Sequence, residues 1–156
     1  MLLALALAAA LGSGLVAGVF YAFSTFVMKA LARLSPVQGI AAMQSINVVV
    51  LNPWFLGVFM GTALLSVVAV VTAVLRWGAP GALWLLIGGI LYFAGSFVVT
   101  IRCNVPRNNA LAAVAPGDPR AVEVWTKYVA EWTWWNHVRT AASLAAALSF
   151  SLALAA

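Results

Sequence analysis

Of the chain's 156 residues 65% are hydrophobic and 7% charged, against roughly 45–50% apolar and 25% charged in a soluble domain, so lipid is the main solvent and no soluble module has room. The net charge of +5 sets eight basic residues against Asp118, Glu123 and Glu131, spread along the chain as a membrane orientation signal is and forming no patch for nucleic acid. One cysteine, Cys103, excludes an intramolecular disulfide or a two-cysteine redox relay, and one histidine with three acids is too few for a zinc or di-iron set from one chain.

Four apolar stretches each approach the roughly 20 residues that a helix needs to cross a hydrocarbon core of about 30 Å, and in lipid a helix satisfies its own backbone amides. The first, residues 2–28, has no basic segment ahead of it and runs unbroken, so it reads as a retained helix and not as a signal peptide. Ser35, Pro36 and Gln38 spell a capping box, which predicts a short helix to about Leu51. Asn52-Pro53 repeats the cap-plus-proline signal and opens the second span, 54–75. Residues 76–81 leave room only for a tight turn into the third span, 82–101, which is expected to stop around Pro106. Gly117-Asp118-Pro119 opens a helix through Trp125, Trp132 and Trp135 that continues into the fourth span, 138–156. The expectation is a single all-α domain over 1–156: an integral membrane four-helix bundle with two amphipathic helical connections, packed together as a lid over one end. Lys29, Arg33, Arg102, Arg107, Arg120, Lys127 and Arg139 lie on the side of the long connections and Arg76 alone on the other. By the positive-inside rule this is a multi-pass cell-membrane protein with both termini outside and both long connections cytoplasmic.

Small residues four apart, Gly14 with Gly18 and Gly57 with Gly61, are expected where helix backbones approach closely. Gln44, Asn47 and Asn52 place amides along an otherwise apolar short helix, read either as caps and interhelical bonds or as the lining of a polar pocket. Arg102, Asn104, Arg107, Asn108 and Asn109 surround Pro106, more donors than turn formation and snorkelling need. Trp132, Asn136 and Arg139 share one face of the last helix, with His137 adjacent around it. An interfacial aromatic belt accounts for Trp125, Tyr128, Trp132, Trp134 and Trp135, but asks for none of Asn136, His137 and Arg139. For His137 a structural role stands beside a functional one.

Phe20-Tyr21-Ala22-Phe23-Ser24, Met43-Gln44-Ser45-Ile46-Asn47, Asn104-Val105-Pro106-Arg107-Asn108-Asn109 and Trp132-Thr133-Trp134-Trp135-Asn136-His137-Val138-Arg139 together resemble the anthrone oxygenase-like family of small bacterial and fungal membrane proteins. The resemblance spans nearly the whole chain, and its most specific parts are the asparagine block and the Trp-Asn-His-Val-Arg block. It implies a four-helix membrane bundle and, for the characterised fungal branch, oxidation of an anthrone to an anthraquinone by molecular oxygen. The site assignments come from the chemistry of this sequence. An anthrone is a carbon acid whose anion reacts with oxygen directly, so a base and an anion site suffice. His137 is the candidate base, and Arg139 with the amides of Asn47, Asn108 and Asn109 the candidate oxyanion holders. Trp132, Trp135 and Tyr21 offer flat stacking surfaces, and Gln44, Asn104 and Asn136 complete the polar lining.

No cofactor is expected, with a haem on His137 as axial ligand left open. The expected partners are membrane lipid and a small hydrophobic aromatic molecule, no nucleic acid, and a second copy of the chain in a homo-oligomer. The alternative function is a non-catalytic membrane protein that binds a lipid or quinone-like molecule in the same pocket. A proton-coupled transporter fits less well, because none of the three acids lies mid-span.

Overall fold

The computed structural model describes residues 2–115 and 117–156, and every element in them is helical. Four helices are long and apolar enough to cross a membrane: α1 Leu2–Leu31, α3 Pro53–Leu75, α4 Ala82–Ala112 and α5 Ala121–Ala155. The short α2, Pro36–Val49, fills the first long connection. The spans form a ring in which α1 packs on α5 and α3, and α4 on α3 and α5, each neighbour antiparallel. The protein is an integral membrane four-helix bundle.

Local chemistry sets the helix starts. Ser35 Oγ accepts the Gln38 backbone N–H and Gln38 Oε1 accepts that of Ser35, closing the capping box. Asn52 Oδ1 accepts from Phe55 N at 3.0 Å and opens α3. The α3–α4 turn needs Gly78 and Gly81, both at positive φ, a region open to glycine without steric penalty. Asp118 caps a turn, not the helix itself: its carboxylate accepts the Arg120 N–H and guanidinium, and α5 begins at Ala121. The hydrogen bonds from Arg120 hold this carboxyl below the usual carboxylate range.

The third span does not stop at Pro106. Two π-helical turns, Phe93–Val98 and Thr100–Asn104, widen α4 just before the proline. Pro106 then falls in the first turn of the last α-helical stretch, Val105–Ala112, where no N–H is required and its fixed φ suits the helix. The 31 residues of α4 and 35 of α5 therefore extend about 46 and 52 Å at 1.5 Å per residue, well beyond the hydrocarbon core.

Where these ends project, α2 packs on α5 and on the end of α4. The second core lies here: Met28, Ile40, Met43, Leu111, Ala121, Trp125, Tyr128 and Trp132 are all buried together. Gly39 admits the Trp125 indole, 2.6 Å from where a Cβ would stand. The expected lid is present. The first core, around Phe20, Phe59, Leu85, Tyr92 and Phe150, fills the bundle proper.

Gly14, Gly18, Gly57 and Gly61 are not the contact glycines: a Cβ at any of them meets nothing within 4 Å. The close approaches occur at Gly12 against Thr62, Gly88 against Phe150, Gly89 against the Ser66 carbonyl and Gly95 against Ala142. A spacing of four identifies one face of a helix, but lipid and protein both accept a bare glycine face, so spacing alone does not say which solvent it meets.

Candidate functional site

A polar network lies in the bundle interior at the level where α1, α4 and α5 leave the apolar core. Arg139 is 4% exposed. Its guanidinium donates to Asn136 Oδ1 at 2.7 Å and to Thr100 Oγ1 at 3.2 Å, and lies over the Phe20 ring at 4.1 Å and the Trp132 ring at 5.0 Å. Among the described residues it has no carboxylate partner, since Asp118 pairs with Arg120, Glu131 with Arg107 and Lys127, and Glu123 is exposed. A guanidinium at membrane depth costs about 2.5–3.5 kcal/mol on insertion scales. Two desolvated cation–π contacts, each worth up to about 2 kcal/mol, and the two hydrogen bonds offset that.

Asn136 is wholly buried and fully used. Because Arg139 requires its oxygen, the amide orientation is fixed, and both Nδ2 hydrogens point to α1: one to the Phe20 carbonyl, one to Ser24 Oγ, each at 2.7 Å. Ser24 also meets Thr140 Oγ1 at 2.9 Å. Ser24 lies in a π-helical turn, Phe23–Val27, the kind of helix irregularity often found at functional sites.

The cap layer absorbs most of the remaining amides. Asn108 Oδ1 accepts from Tyr128 OH at 2.9 Å and from Trp132 Nε1 at 2.8 Å, while Asn47 adjoins the Tyr128 hydroxyl. Gln44 ties α2 to α4 through the carbonyls of Leu111 and Val114. Asn104 Nδ2 donates to the Trp132 carbonyl at 3.3 Å, and its buried Oδ1 has no partner among the described residues. Trp125, Tyr128 and Trp132 stack in succession and are buried, so they are core; Trp134 is the exposed one.

His137 faces away from this network. It lines a groove between α1 and α5, of about 370 Å³, with Ser24, Met28, Lys29, Ala32, Val129, Ala130, Thr133 and Trp134. The groove is open at the side, mainly apolar, and within the 300–1,000 Å³ typical of small-molecule sites. Ser24 is the one residue common to groove and network.

Of the residues singled out from sequence, the structure brings together Trp132, Asn136 and Arg139, with Asn104, Asn108, Asn47 and Gln44 above them. His137 sits in the groove, one step round α5. Tyr21 and Asn109 are exposed, and Trp135 is half-buried. Sequence reasoning gave no site role to Phe20, Ser24, Lys29, Thr100 or Thr140. The available signal was Ser96, Thr100, Asn104 and Asn108, polar residues four apart along one stretch of α4, which marks a face turned from lipid.

Comparison with curated proteins finds no match, nor does comparison with solved structures. The family model described as anthrone oxygenase matches residues 54–149, more than half of the chain. The match covers α3, α4 and most of α5, including Asn104, Asn108, Trp132, Asn136, His137 and Arg139. The chain belongs to the anthrone oxygenase family.

Proposed function

We propose that this protein oxidises a flat aromatic carbon acid of the anthrone kind with molecular oxygen, in the groove between α1 and α5, with His137 as the base. What supports this reading is the groove's composition: His137 and Lys29 lie among mainly apolar walls. A planar hydrophobic substrate would partition into lipid and enter sideways, and oxygen too is more soluble in hydrocarbon than in water.

The chemistry needs no cofactor. His137 takes one methylene proton, and the electron pair left on carbon delocalises into the ring ketone, making an aryloxide. The carbanion carbon gives up electrons to oxygen and forms a C–O bond, and the peroxide anion takes back the proton from the imidazolium. Removal of the second methylene hydrogen as a proton then drives cleavage of the O–O bond: a carbonyl forms, hydroxide leaves, and the proton returns to give water. Anthrone and one O₂ thus yield anthraquinone and one water. Lys29 at the mouth of the groove stabilises the aryloxide. Arg139 does not border the groove and acts from behind it. The groove end of the bundle is assigned to the cytoplasmic side.

The test is oxygen uptake by the purified protein in lipid nanodiscs with anthrone as substrate. His137→Ala is expected to lower turnover by about 10²–10⁴-fold, the range of a general base, with the thermal unfolding midpoint unchanged, because an exposed side chain contributes little to stability. Undiminished turnover by the folded variant would remove His137 from the mechanism.

A further inference from the structure

Asn136 Nδ2 donates to Ser24 Oγ, so Ser24 accepts there. Thr140 Oγ1 donates its only hydrogen to the Asn136 carbonyl at 2.8 Å, so in the 2.9 Å contact between the two hydroxyls Ser24 must donate and Thr140 accept. The Ser24 hydrogen is therefore directed at a neighbouring hydroxyl, which can release it at little cost, and Ser24 is among the residues that line the groove. Behind it, Asn136 cannot flip to offer its oxygen instead, because the guanidinium of Arg139 holds that oxygen at 2.7 Å.

We infer that Ser24 is the oxyanion donor of the groove, turning its hydroxyl from Thr140 to an aryloxide bound beside it, and that Arg139 and Asn136 are positioning residues that hold it in that role. The inference rests on the groove being the site proposed above, and it names the group on the substrate that Ser24 reads: an oxygen that becomes negative when the carbon acid ionises. A buried cation polarises the chain Arg139–Asn136–Ser24 in the direction that strengthens donation. The uncompensated charge of Arg139 thereby favours an anion in the groove without direct contact.

A monohydroxyanthraquinone, whose absorption shifts when its hydroxyl ionises, tests this in the full-length protein in nanodiscs, alongside anthrone turnover. For the bound dye, Ser24→Ala is expected to raise the ionisation pH by about one to two units, the loss of one hydrogen bond to a charged group. The same variant is expected to lower turnover by about 10²-fold. Thr140→Val removes the competing acceptor and is expected to move the dye's ionisation the opposite way, which a purely structural Ser24 would not produce. An unmoved ionisation pH in folded Ser24→Ala, or in Thr140→Val should the first variant fail to fold, overturns the inference alone. A wild-type protein that binds no dye and turns over no anthrone overturns the groove as a site, and the inference with it.

Discussion

Arg139 is the residue on which the interior depends, because it fixes the Asn136 amide through one nitrogen of its fork and reaches Thr100 through another. Lysine keeps the charge but lacks the planar fork and stacks less well on Phe20 and Trp132. Arg139→Lys is therefore expected to reduce turnover and also to lower the unfolding midpoint. Asn136→Ala leaves the Phe20 carbonyl and one arm of Arg139 without their partner, for a loss of roughly 1–3 kcal/mol read by thermal unfolding in detergent. A midpoint equal to wild type would show that the network contributes nothing. The face carrying Trp132, Asn136 and Arg139 was legible in the sequence from helical spacing. That Asn136 and His137, adjacent in sequence, serve an interior network and an outer groove was not. A step of 100° around α5 separates them, and only the positions of α1 and α4 decide which direction is inward.

At the scale of elements, the helices and their caps were legible because capping chemistry is local: Ser35, Gln38 and Asn52 make the bonds their types and spacing imply. The continuation of α4 past Pro106 was not, because it depends on π-helical turns upstream that no residue in the run Thr100–Asn104 announces by type. The same holds for the glycines, whose environment is set by neighbouring helices. Gly89 lies with its Cβ position 2.6 Å from the Ser66 carbonyl oxygen, a backbone atom that cannot swing aside. Gly89→Ala should force α3 and α4 apart and destabilise by about 1–3 kcal/mol, whereas Gly14→Ala, facing open space, should stay within about 0.5 kcal/mol of wild type. Unfolding midpoints of the two variants, side by side, check the ranking; equal values would contradict the packing.

For the molecule as a whole, one end carries the cap layer, the groove and most of the charge. Arg139 is buried and leaves the count of surface charges, so the orientation rule rests on Lys29, Arg33, Arg102, Arg107, Arg120 and Lys127 against Arg76. By the positive-inside rule that imbalance predicts a cytoplasmic Ser35 connection. In a Cys103→Ser background, a cysteine at Ser35 should resist a membrane-impermeant maleimide applied to intact cells and react after lysis; labelling of intact cells would reverse the topology. The class of molecule was legible from composition alone, since lipid is the one solvent that accepts such a surface. The location of the groove was not, since Lys29 and Ser24 are more than a hundred residues from His137 and meet it only because α1 packs along α5.

Anthrone carrying deuterium at both methylene positions reports whether His137, as proposed, removes a proton from carbon in the α1–α5 groove. If that removal limits turnover, oxygen uptake by the wild-type protein in nanodiscs is slower with the deuterated substrate than with the ordinary one. With His137→Ala, both substrates fall to the rate seen without protein. Uptake that exceeds the protein-free rate equally in wild type and His137→Ala, with no difference between the two substrates, would contradict the account.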